Sequence, residues 1–122
     1  MHAGDTFLIP GDDDHLWAII SDPAKDPENV VVVLFLSWAE KYDQACALHA
    51  GDHPFIKHDT CVGYRGAKVL SNRRLEELRR AGKLRLKAPL SAQLLELIRN
   101  KAEVSDIPSG AYSALRNQGL VP

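Results

Sequence analysis

The stretch Val30-Val31-Val32-Val33-Leu34-Phe35-Leu36 decides how this chain folds. Four consecutive valines are stiff at their first side-chain torsion and fit a pleated surface, so the run reads as a strand. Its seven residues are all apolar, with no polar alternation. Successive side chains of a strand point to opposite faces, so an unbroken apolar run needs cover on both. Val30 to Leu36 is therefore expected at the centre of a sheet.

Towards the N-terminus, His15 to Ser21 is a second bulky, apolar strand, joined to the first run by a loop from Asp22 to Asn29. Pro23 and Pro27 bias their neighbours away from helix. Asp5 to Ile9 alternates weakly and meets Pro10-Gly11, a turn signal. Gly11-Asp12-Asp13-Asp14 reads as an acidic loop, its carboxylates solvated or bound to a cation. On the other side, Ser37 to Leu48 is ambiguous, and Tyr42 to Leu48 suits a strand or a helical turn. Gly51-Asp52-His53-Pro54 is a turn. Thr60 to Leu70 is a strand interrupted by Gly63 and Gly66, where a bulge or a close backbone approach is expected.

Helical signals follow. Ser71 or Asn72 caps a helix over 72–81, with Leu75 and Leu78 on one face and Gly82 as its stop. Lys83 to Lys87 suits a short strand or an extended link. Ser91 caps a second helix over 91–103, with Leu94, Leu95 and Ile98 on one face. Ser109 to Gln118 is a last helix, stopped by Gly119. Strands first and helices last predict an α+β chain. The expected architecture is a small antiparallel β-barrel over 4–70 with a helical C-terminal part over 71–122, in a single domain of 1–122. The alternative is a twisted open sheet covered by the helices.

The composition, 45% hydrophobic and 25% charged over 122 residues, is that of an ordinary globular chain and excludes a collagen-like or disordered one. No apolar run approaches the roughly 18 residues of a membrane helix. The first residues have no basic or apolar signal region, and there are two cysteines, so a cytoplasmic protein without a membrane partner is expected. The net charge of -1 hides an asymmetry. Residues 1–60 carry three basic and eleven acidic side chains, residues 61–122 twelve basic and five acidic. Nine of the basic ones lie between Arg65 and Lys87. Such a block suits a phosphate-rich partner, or a solvated helix face.

The order of strands resembles that of the MazF/PemK-like toxins. Gly4-Asp5 precedes strand one, the second apolar strand ends in Ser21, the Val30 run closes on Ser37, and Asp59-Thr60 leads through Tyr64-Arg65. The resemblance covers residues 4–70. It implies a small SH3-like barrel, usually a homodimer, and the toxin half of a type II toxin–antitoxin pair. Many members are endoribonucleases that cut single-stranded RNA without a metal or other cofactor, and are held in check by an antitoxin protein. The family's usual Arg-Pro at the start of strand two is His15-Leu16 here, and a histidine stands near this place in some relatives. The resemblance makes His15, Ser37 and Arg65 the catalytic candidates. Lys57, His58 and Thr60, with Arg73 and Arg74 of the basic block, are the substrate-binding candidates.

These residue types suit the chemistry. Cleavage needs a base for the 2′-hydroxyl proton, an acid for the 5′-oxygen and a cation for the phosphorane. His15 suits either proton role, and the acidic run before it favours the imidazolium. Arg65 matches phosphate oxygens, and Ser37 can hydrogen-bond one. The other class of function is a non-enzymatic RNA- or protein-binding module on the same barrel.

A third reading is a zinc site drawn from Cys46, His49, His53, His58 and Cys61. The spacings match no zinc ribbon or finger, and no metal site is expected. If the segment lines a cleft, His53 or His58 is a proton-transfer candidate. Trp17 and Trp38 sit in or beside apolar strands and are expected in the core or an interface.

Overall fold

The computed structural model describes residues 1–122, the side chains of Asp13 and Asp14 excepted. Six strands come in the order β1 (Thr6–Ile9), β2 (Asp12–Ile19), β3 (Asn29–Ser37), β4 (Ala47–Leu48), β5 (Thr60–Ser71) and β6 (Arg85–Lys87). Helix α1 (Asn72–Arg80) separates β5 from β6, and α2 (Ala92–Lys101) and α3 (Ser109–Asn117) follow, with a 3-10 turn at Ala102–Val104 between them. The strands form one curled antiparallel sheet in the order β4-β5-β3-β2-β1-β6.

The valine run lies at the centre, as its composition requires. β3 pairs with β2 on one side and β5 on the other. Its side chains divide by alternation. Val31, Val33 and Phe35 join a core with Leu16, Val62 and Tyr64, and α2 and α3 close it with Leu94, Ile98 and Leu115. Val30 and Val32 point the other way, into a smaller core with Phe7, Ile19, Leu84 and Leu75 of α1. Fully burying a side chain of this size stabilises by roughly 1.5–3 kcal/mol, so two covered faces hold β3 from both sides.

The helix signals act where they were read. Ser71 accepts the Arg74 N–H at 3.2 Å and Ser91 the Leu94 N–H at 3.1 Å, each satisfying a first-turn donor. Gly82 and Gly119 take φ of 72° and end α1 and α3, and the next amides, Lys83 and Leu120, bond back to the Leu78 and Leu115 carbonyls.

The glycines of β5 mark its bend. Gly63 lies opposite Leu34 and Lys68 opposite Val32, so four residues of β5, Tyr64 to Ala67, stand against Val33 alone. Extra residues in one strand bend it and sharpen the local twist. A Cβ on Gly66 would stand 2.7 Å from Leu34 Cδ2, and one on Gly63 2.9 Å. The missing side chains let Leu34 lie across the bend.

One expectation changes and two are narrowed. The acidic loop is shorter than its composition suggests: Pro10-Gly11 alone makes the turn, with Gly11 at φ 91°, and Asp12 already pairs with Ile9. Pro10 at the first central position and Gly11 with positive φ at the second suit a type II turn, and the β1–β2 pairing shifts register between Phe7 and Ile9. The behaviour expected of Asp13 and Asp14 side chains lies outside the described residues. Ser37 closes β3, and between it and Leu48 only Ala47–Leu48 is further strand. Trp17 is partly buried and packs on the smaller core, whereas Trp38 follows the last residue of β3 and is 44% exposed. No helix of the described residues is long and apolar enough to cross a membrane.

Candidate functional site

The antiparallel pairing of β3 with β5 sets Ser37 opposite Thr60. The segment before β5 folds against this end of the sheet. Ser37 Oγ and His58 Nε2 are 2.8 Å apart and exposed. Thr60 donates its hydroxyl to the His58 carbonyl at 2.9 Å, which fixes the backbone that presents the imidazole. Ser37, Lys57, His58 and Thr60 border one small cavity of about 50 Å³, whose apolar side includes Leu16, Phe35 and Ile56. Four of the eight residues selected from sequence thus meet. A hydroxyl, an imidazole and a primary amine at one opening are able to bind a phosphate and move a proton.

The other four do not border this cavity. His15 Nδ1 stands 2.6 Å from Asp12 Oδ1, and the other Asp12 oxygen accepts the Trp17 indole N–H at 3.4 Å. Arg73 and Arg74 lie in α1, beyond Ser71, which pairs with Asn29 at the opposite end of the β3–β5 ladder from Ser37 and Thr60. At about 3.3 Å per residue, the length of β3 separates them by roughly 26 Å. Both guanidinium groups lie 3.4 Å from Glu77. These exposed pairs are worth little to stability.

Arg65 projects from the bend of β5 into a larger cleft, of about 540 Å³. Leu34, Leu36, Val62, Gly63 and Gly66 line its apolar part. Lys41, Tyr42, Asp43 and Asp106 complete it, with the Lys41 ammonium 5.2 Å from the Tyr42 ring centre. Asp43 is held by the Ala45 N–H at 2.9 Å and the Asp106 N–H at 2.8 Å. Burial works to raise the Asp43 carboxyl, but these two amides and the Asp106 side chain outweigh it and hold the group below its ordinary value. Burial and then the neighbouring Asp43 push the Asp106 carboxyl up, and the Arg65 charge pulls against them. Leu36 borders both the cleft and the Ser37–His58 cavity, so the two adjoin.

The Cys/His cluster resolves into separate tasks. Cys46 and Cys61 are buried and free, and burial pushes both thiols up, towards the inert form. His53 is buried; its Nε2–H donates to the Ala88 carbonyl at 2.5 Å and its Nδ1 accepts the Phe55 N–H at 3.0 Å. Both ring nitrogens are engaged with backbone, which makes His53 a structural tie between the 53–56 turn and the end of β6. His49 pairs with Asp59 at 3.1 Å. Among the described residues no group of three histidine, cysteine or acidic side chains is arranged to hold a metal ion.

Sequence reading missed the carboxyl pair. Asp43 and Asp106 are 63 residues apart, in two irregular segments with no periodicity to place them. No protein-family model and no curated protein matches the chain.

Proposed function

We propose that the protein binds single-stranded RNA at the Ser37–His58 end of the sheet and cleaves it without a metal, as a toxin of the MazF/PemK-like type. The observation that carries this reading is the 2.8 Å contact between Ser37 Oγ and His58 Nε2 in a cavity that Lys57 also borders. The curled six-strand antiparallel sheet is compatible with a small barrel.

In the proposed reaction His58 takes the 2′-hydroxyl proton. The 2′-oxygen then bonds to phosphorus while the bond to the 5′-oxygen breaks. The imidazolium returns its proton to that oxygen, leaving a 2′,3′-cyclic phosphate and a free 5′-hydroxyl. Lys57 balances the charge that grows on the phosphorane, and Ser37 orients the imidazole. His15 and Arg65 are assigned to binding the strand rather than to breaking the bond. The exposed arginines of α1 add non-specific attraction for phosphate. The same reading makes the chain a homodimer, with an antitoxin protein as its inhibitor.

The test is cleavage of a single-stranded RNA in EDTA by the wild type, His58→Ala and Ser37→Ala. A loss of about a hundredfold or more is expected for His58→Ala, in line with general acid–base catalysis. An oligonucleotide with 2′-deoxyribose at the scissile position should resist cleavage. Undiminished cutting by His58→Ala, or cutting of the deoxy substrate, overturns the assignment. Expression of the wild type should arrest growth, and expression of His58→Ala should not.

A further inference from the structure

The cleft beside Arg65 has a division of chemistry that phosphate binding alone does not use. Its floor is apolar and low, because Gly63 and Gly66 add no side chains and Leu34 lies across them. One edge carries Asp43 and Asp106, and the Arg65 cation stands near enough to act on Asp106. Tyr42 adds an aromatic wall. The volume, about 540 Å³, is within the range of small-molecule sites, roughly 300–1,000 Å³.

A nucleotide has the matching parts: a flat base with two apolar faces, a polar edge and an anionic phosphate. We propose that this cleft is a nucleobase subsite that takes guanine, with Asp43 and Asp106 on its Watson–Crick edge and Arg65 on its phosphate. Guanine presents N1–H and the 2-amino group side by side, two donors for carboxylate oxygens. Uracil presents a single N–H between two carbonyls, whose lone pairs would face the carboxyl groups. Adenine offers one amino group beside an acceptor nitrogen. Asp43 is a fixed reader, since two backbone amides hold its oxygens in place. Stacking on the floor and on Tyr42 is sequence-tolerant and adds affinity for any base, so the carboxyl edge supplies the discrimination.

The inference rests on the RNA reading above for the polymer. It extends that reading, because Leu36 borders both cavities.

The experiment uses the full chain, labelled with nitrogen-15, and titrates it separately with guanosine, adenosine and uridine 5′-monophosphates. Guanosine monophosphate should move the amide signals of Gly63, Arg65, Gly66 and Asp106, and should bind at least tenfold more tightly than the other two. Arg65→Ala should weaken guanosine monophosphate several-fold and leave guanosine itself unchanged. Asp106→Asn, whose amide group turns a donor towards the base, should bring guanosine and adenosine monophosphates to within twofold of each other. Absence of shifts at millimolar nucleotide, shifts confined to Ser37 and His58, or equal affinity for the three bases overturns the subsite. RNA cleavage is scored separately: guanine binding in the cleft of a chain that cuts no RNA retains this inference and removes the proposed activity. Cleavage without cleft shifts does the reverse.

Discussion

The Tyr64 hydroxyl donates to the Ile98 carbonyl at 2.6 Å, and the bond is buried. It ties the bend of β5 to α2, so the strand that carries Arg65 is fixed to the helical layer. Burial pushes the phenol far up, with Cys46 adding to the effect, and keeps the hydroxyl a donor at all ordinary pH.

Removal of this bond should be felt in stability rather than at the surface. Tyr64→Phe keeps the ring in the core and leaves a buried carbonyl short of a partner, which costs about 1–3 kcal/mol. Urea unfolding should show a lower midpoint with an unchanged slope. An unchanged midpoint would mean that the carbonyl gains another donor.

His49 and Asp59 provide a pH-dependent contact at the outer surface. The hydrogen bond and then the charge of Asp59 raise the His49 pKa above its ordinary value of 6.5. The contact therefore favours the folded state fully below the unfolded pKa, and this contribution is lost as pH rises through the higher folded value. Proton NMR of the His49 ring should give a midpoint above 6.5 in the wild type, falling towards it in Asp59→Asn. Equal midpoints in the two proteins would refute the pairing.

The arginines of α1 should act on affinity without acting on chemistry. Arg73 and Arg74 lie a full strand length from Ser37 and His58. Each phosphate neutralised on a single strand contributes about -0.7 to the slope of log affinity against log salt. The double variant Arg73→Ala/Arg74→Ala should flatten that slope by roughly 0.7–1.4 and leave the cleavage rate at saturating RNA unchanged. An unchanged slope would return α1 to the role of a solvated face.

Much of the fold is local in origin, and so it is legible in the sequence. The valine run carries its own centrality, because seven apolar residues in a strand leave neither face for water. Ser71, Ser91, Gly82 and Gly119 mark helix ends through hydrogen bonds and φ values that involve only their near neighbours. The bend at Gly63 and Gly66 is visible for the same reason: glycine removes a Cβ that would meet Leu34.

What the sequence by itself determined, then, is the identity of β1, β2, β3, β5 and the helices, the place of β3 and the ends of the helices. The tertiary structure alone decided which side chains meet. Ser37 and His58 come together because the β3–β5 register sets Ser37 against Thr60, and one residue more or less would turn Ser37 to the other face. Asp43 meets Asp106 because α2 and the 3-10 turn carry the segment before α3 to it. Trp38 stays exposed because β3 ends one residue before it. Residue type and local spacing set backbone conformation over a few neighbours, whereas contacts across 21 or 63 residues depend on strand register and helix docking, which no short window of sequence contains.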